Sequence, residues 1–79
     1  MQYQLQNSIL ERQQDNIKSI ADIYNNLGKV QYILKEYSQA ILNWQFSLQR
    51  YQKLDNAKET NIIITNIKAS KGECHKILK

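Results

Sequence analysis

The chain has 79 residues, 42% of them hydrophobic, and a formal net charge of +4, which allows one small domain with a modest core. That apolar content argues against disorder, and no apolar run is long enough to cross a bilayer. The single cysteine, Cys74, excludes an internal disulfide framework, and the first ten residues lack the basic start and apolar centre of a signal peptide, so we expect a soluble cytoplasmic protein.

Four helices are predicted in chain order from the spacing of apolar residues. The first covers residues 1–13, and the second begins near Asp15 and ends before a turn at Lys35 and Glu36. In the second helix, apolar or small residues recur at steps of three and four, which places them on one side: Ile17, Ile20, Ala21, Tyr24, Leu27 and Gly28.

The second half of the chain repeats this pattern. Ser38 is a candidate cap for the third helix, whose apolar residues are Tyr37, Ala40, Ile41, Trp44, Leu48 and Tyr51. Asp55 or Asn56 is a candidate cap for the fourth helix, over residues 56–78. The β-branched run at residues 62–65 resembles a strand by composition alone. An internal repeat favours a helix there.

The internal repeat has a period of about 40 residues. Shifting the sequence by that amount aligns residues 15–18 with residues 55–58, and Leu27 with Ile67. Apolar positions fall on apolar positions, so the chain divides into the end of one unit (1–13), a complete unit (15–53) and the start of a third (56–78).

The complete unit resembles the tetratricopeptide repeat. The residues that carry this resemblance are Tyr24, Leu27 and Gly28 in one helix, and Tyr37, Ala40, Ile41 and Trp44 in the next. The resemblance implies that Gly28 and Ala40 allow two helices to approach closely, that Tyr24 and Trp44 fill the space around this crossing, and that Tyr32 and Tyr37 occupy the hairpin interior and its turn.

The sequence departs from the family pattern at four places. Gln31 stands at the position of a tyrosine, Ser47 at that of an alanine, and no proline closes the unit near Gln52. Lys68 replaces the glycine in the next copy, so the last helix resembles a terminal, capping helix. The period exceeds the usual 34 or so residues, as in the longer-period variants of kinesin light chains, cell-polarity adaptors and bacterial multi-repeat proteins.

The resemblance implies an all-α fold of antiparallel helix-turn-helix repeats, a fragment of an α-solenoid with about four helices. Arrays of this kind normally need three or more repeats to bury their apolar faces. We therefore expect part of a longer array or a homo-oligomer, with a small four-helix bundle as the alternative.

In this family the first helix of each pair lines a concave groove that binds a peptide or protein segment. The resemblance assigns the following residues to that groove: Asp22, Asn25, Asn26, Lys29, Tyr32, Ile33, Thr65, Asn66 and Ala69. Lys29 suits a carboxylate of the partner, and asparagine amides both donate and accept hydrogen bonds. Our hypothesis is that Asn25, Asn26 and Asn66 form a row that binds the main chain of the partner. The alternative is that these residues are only a solvated helix surface.

Nucleic acid is the second class of partner to consider, because the chain is basic. The charges near the C-terminus form a candidate basic edge: Lys68, Lys71, His75, Lys76 and Lys79. Glu73 interrupts this edge, and the aromatic residues occupy core positions rather than alternating with the lysines. The sequence therefore favours a solvated helix surface over a nucleic-acid interface.

No catalytic, metal or cofactor site is predicted. Cys74 and His75 are adjacent and point in different directions on a helix, and no further ligands lie at a suitable spacing. The chain lacks a phosphate-binding glycine loop and a nucleophile motif. We therefore expect a non-catalytic adaptor or scaffold that binds a protein or peptide, with a nucleic-acid-binding helical protein or a self-associating structural module as the alternatives.

Overall fold

Three helices make up the described part of the computed structural model, which covers residues 2–78 and the side chains of residues 12–76. They are α1 (Gln2–Ile33), α2 (Tyr37–Lys53) and α3 (Ala57–Leu78). The all-α prediction is confirmed. The prediction of about four helices is not, because the separate helix expected over residues 1–13 is the first part of α1.

The continuity of α1 has a local cause. Arg12, Gln13 and Gln14 favour helix, and this stretch contains no glycine or proline to stop it. Asp15 and Asn16 were expected to begin a new helix, by alignment with Asp55 and Asn56. They lie inside α1 instead.

The two turns have the same backbone geometry. At the end of α1, the N–H of Glu36 donates to the carbonyl of Gln31 at 2.8 Å, and Lys35 has a positive φ of 65°. At the end of α2, the N–H of Asn56 donates to the carbonyl of Tyr51 at 3.0 Å, and Asp55 has a φ of 53°. This is the Schellman arrangement, in which a left-handed residue ends the helix. Each turn therefore reverses the chain within three residues.

The predicted caps differ in outcome. Asn56 caps α3, since its Oδ1 accepts a hydrogen bond from the N–H of Glu59 at 3.2 Å. Ser38 does not cap α2, because the helix begins two residues earlier than that cap would place it. Glu36 occupies the N-cap position and makes no side-chain capping bond.

The core lies along α2, which packs against α1 on one side and α3 on the other. Its buried apolar residues come from all three helices: Ala21, Ala40, Trp44, Tyr51, Ile63 and Ile67. Two buried serines connect the helices. Ser47 Oγ donates to the carbonyl of Ala21 at 2.7 Å, and Ser70 Oγ donates to the carbonyl of Tyr37 at 3.2 Å. The helices therefore form a thin layer, with α2 in the middle.

The crossing of α1 and α2 depends on Gly28. A Cβ atom at this position would lie 2.6 Å from Nε1 of Trp44, so only glycine fits beside the indole. The expected close approach is thus confirmed at Gly28, and Ala40 is completely buried. Tyr24 also packs against α2, but beside Phe46 and Arg50 rather than beside Trp44. Its ring is 5.3 Å from that of Phe46, and the guanidinium of Arg50 lies 5.0 Å above it.

Candidate protein-binding groove

An open depression lies where α1 and α3 approach each other above α2. Its volume is about 390 Å³. All three helices contribute to its lining: Lys29, Tyr32, Ile33, Trp44, Asn66 and Ala69. The lining is mainly apolar, with one ammonium group and one amide, a composition common in binding sites.

Five of the nine predicted groove residues line this depression: Lys29, Tyr32, Ile33, Asn66 and Ala69. The other four lie outside it. Thr65 lines a smaller, adjoining depression on α3 that shares Asn66, and its hydroxyl donates to the carbonyl of Asn61 at 3.0 Å. Asn26 is exposed on α1. The groove assignment itself stays a prediction.

Asn25 is part of the core and not of the groove surface. It is buried, and both its backbone carbonyl and its Oδ1 accept hydrogen bonds from Nε1 of Trp44, at 3.2 and 3.1 Å. A buried indole N–H needs such an acceptor. The structure therefore does not present Asn25 to a partner in a row with Asn26 and Asn66, and its replacement by alanine would disturb the core.

Asp22 is also occupied by neighbours within the chain. It accepts a hydrogen bond from the hydroxyl of Tyr51 and pairs with the ammonium of Lys18 at 3.1 Å. These contacts, the Tyr51 bond foremost, hold the pKa of Asp22 below its ordinary value of 3.8, although partial burial opposes them. Burial and then the bond to Asp22 raise the pKa of Tyr51, so this phenol stays protonated and remains a donor.

The floor and one end of the depression are aromatic. The ring of Tyr32 lies 5.9 Å from that of Trp44 and meets Tyr37 edge-on at 5.3 Å. These contacts confirm that Tyr32 and Tyr37 fill the hairpin interior. Because Trp44 is only 2% exposed, it supports the depression from below and does not project into it.

Trp44 is the lining residue that the sequence did not predict. The repeat pattern assigned it only to the crossing of α1 and α2. A helix crossing at a glycine leaves the far edge of the indole facing the third helix. This geometric consequence was the one available signal.

The neighbours Cys74 and His75 have different surroundings in the described structure. Cys74 Sγ lies 3.9 Å from Ser38 Oγ, whereas His75 is exposed. Among the described residues, no group of three histidine, cysteine or acidic side chains is arranged to hold a metal ion.

The basic residues of α3 face outward. Lys68, Lys71 and His75 are exposed at steps of three and four, and Lys76 pairs with Glu73 at 3.3 Å. Lys79 lies outside the described residues. This edge is separate from the depression, and the described aromatic rings lie mainly on α1 and α2.

Within residues 2–78, no helix is both long enough and apolar enough to span a bilayer. Comparison with models of known families, with curated proteins and with solved structures found no significant match. The geometry of the depression is therefore the main basis for a functional proposal.

Proposed function

We propose that this chain is a non-catalytic protein-interaction module, similar to tetratricopeptide repeats, that binds a peptide or protein segment in the depression between α1 and α3. The observation that carries this proposal is the shared lining. Three helices place apolar surface, one cation and one amide around a single opening of about 390 Å³.

The lining suggests how a segment would bind. Ile33 on α1 and Ala69 on α3 are both exposed, and the half-buried Tyr32 lines the opening with them. One or two apolar side chains of the partner would be buried there. Lys29 is exposed at the rim and would attract a carboxylate, while the amide of Asn66 would hydrogen-bond the partner's main chain.

The test begins with a probe of known composition. Peptides selected from a random phage-displayed library on the wild-type chain would be synthesised, and their affinities measured by fluorescence anisotropy. Ala69→Arg fills the opening from an exposed position, so we expect an affinity loss of at least about tenfold, equivalent to about 1.4 kcal/mol. Ala57→Arg is the matched control, because Ala57 is exposed at the start of the same helix, away from the depression.

The proposal fails if the two arginine variants bind the selected peptides equally well, or if no peptide is selected. Circular dichroism of each variant confirms that the helices are retained. If Lys29→Glu also weakens the binding of a selected peptide, that peptide carries an acidic group beside the apolar side chain that enters the opening.

A second candidate function rests on the outward lysines of α3. If Lys68 and Lys71 contact nucleic acid, the affinity for a fluorescein-labelled single-stranded DNA falls steeply with salt. The double change Lys68→Glu and Lys71→Glu would remove that binding, whereas Ala69→Arg would not weaken it, since it adds a positive charge beside Lys68. Peptide binding that is lost with Ala69→Arg and retained with the double change supports the groove instead.

A further inference from the structure

A second surface of α1 is apolar and uncovered. Its five residues are Ile20, Ile23, Leu27, Val30 and Leu34, the last in the turn directly after α1. They are here called the α1 stripe, and each is at least 40% exposed. Their spacing of three and four residues places them on one side of the helix. This side differs from the one that carries Lys29 and lines the depression.

The internal repeat shows what this surface is suited to do. Shifted by 40 positions, the α1 stripe falls on α3 residues that face α2: Thr60, Ile63, Ile67, Ser70 and Cys74. In α3, Ile63 and Ile67 are buried in the core, and Ser70 and Cys74 contact α2 through the carbonyl of Tyr37 and the hydroxyl of Ser38. Among the described side chains, no such neighbour covers the corresponding positions of α1.

The opposite end of the molecule is different. The α1 residues that face α2 are Ala21, Asn25, Gly28 and Tyr32, and the same shift places them on Asn61, Thr65, Lys68 and Gly72 of α3. All four of these α3 residues are exposed, and they are polar or lack a side chain. The described molecule therefore has one apolar end and one polar end.

We propose that the α1 stripe binds the α1 stripe of a second copy of this chain, forming a closed dimer. A head-to-tail contact would place the stripe on Lys68 and strip that ammonium of water, which is unfavourable. A contact between identical surfaces closes on itself after two chains. This inference does not depend on the proposed function, since the depression lies on another side of α1.

Charge supports a second copy as the occupant. Between Lys18 and Lys35, the only charged residues of α1 are Asp22 and Lys29. Asp22 is paired within the chain, and Lys29 lies at the depression. No other charge of α1 therefore lies along the stripe, and the cations Arg50 and Lys53 of α2 flank its Ile20 end. The exposed, uncharged Ser19 and Asn26 border the stripe and supply the polar rim typical of interfaces.

The size of the stripe determines the affinity that we expect for the dimer. From Ile20 to Leu34 the helix rises about 21 Å. A contact of this length belongs at the small end of specific interfaces. We therefore expect a reversible dimer whose population depends on concentration.

Sedimentation equilibrium from about 1 μM to about 1 mM protein tests the dimer, a range that covers dissociation constants of about the same values. We expect the mass to rise from 9.3 kDa to twice that value. Leu27→Glu should remain at the lower mass throughout. Ile62→Glu is the matched control, since Ile62 is an equally exposed apolar residue on α3, and it should dimerise like the wild type.

A cross-link gives an independent readout that does not require a charged substitution. Leu27 lies at the centre of the stripe, so a two-fold axis there brings its two copies together. With Cys74→Ser as background, Leu27→Cys should oxidise to a covalent dimer, and Ile62→Cys should not. The proposal is overturned by a monomer at every concentration, by masses that grow beyond two chains, or by a dimer that Leu27→Glu leaves intact.

Discussion

The polar and steric requirements of the Trp44 indole explain the identity of three neighbouring residues. Its N–H accounts for the burial of Asn25, its ring accounts for Gly28, and the ring of Tyr32 packs against it at 5.9 Å. Among the described side chains, every buried polar atom has a hydrogen-bond partner. A small core of this kind tolerates little change at its central ring, because the polar and steric requirements coincide.

Replacing Gly28 by alanine tests the steric requirement. Alanine favours helix over glycine by about 1 kcal/mol, but its Cβ would lie 2.6 Å from Trp44, and overpacking costs about 1–3 kcal/mol. We expect a net decrease in the free energy of unfolding of about 1 kcal/mol, measured by urea denaturation. Gly72→Ala is the control. It has no atom within 4 Å of the added Cβ and should stabilise the chain by about 0.5–1 kcal/mol. Equal effects at both glycines would contradict the close crossing.

The bond between Tyr51 and Asp22 predicts a dependence of stability on pH. The pKa of Asp22 is lower in the folded chain than in the unfolded chain, so its contribution is present above about pH 4 and is lost as the pH falls through the folded value. Tyr51→Phe should reduce the free energy of unfolding at pH 7 by about 1 kcal/mol. The difference from the wild type should narrow in acid.

Tyr24→Phe serves as the comparison for that experiment, because the Tyr24 hydroxyl makes no hydrogen bond to the described side chains. Its difference from the wild type should not vary between pH 7 and acid. If Tyr51→Phe behaves in the same way, the hydroxyl does not stabilise the carboxylate.

At the scale of helices, the sequence predicted α2, α3 and the positions of both turns, because periodic apolar residues and turn-forming polar residues agree there. The prediction that a new helix begins near Asp15 and Asn16 was wrong, although this pair has the same sequence as Asp55 and Asn56. The pair at 55–56 ends a helix that then folds back on its neighbour, with Asp55 in the left-handed conformation. The pair at 15–16 lies within one continuous helix.

The candidate groove was predicted in part for a similar reason. A resemblance identifies which side of a helix faces the groove, and this was sufficient to bring Lys29, Ile33 and Ala69 to one opening. It could not predict that Asn25 supplies the acceptor for a buried indole. That requirement arises only when the partner helix carries Trp44 at the crossing.

The whole molecule is an open layer in which α1 and α3 both depend mainly on α2. Its extents of 62 × 19 × 13 Å show how little of it is surrounded on all sides. Local stability in such a layer should vary along the chain, because each helix contacts only its neighbours.

Hydrogen exchange measures that variation. The amides of α2 should exchange most slowly, since α2 is covered on two sides, and the last turns of α3 should exchange faster. Ile63→Ala removes a completely buried side chain between α2 and α3, at a cost of about 2–4 kcal/mol, and should speed exchange in α3 more than in α1. Uniform acceleration in all three helices would show that the layer unfolds as one unit.

The position of Trp44 has a practical consequence. It is the only tryptophan in the chain, it is buried with its N–H occupied, and it forms part of the depression floor. Its emission therefore reports from the site where all three helices meet. Loss of the fold would shift that emission to longer wavelength, whereas a segment entering the depression would change its intensity, so one intrinsic fluorophore distinguishes unfolding from occupancy without any label.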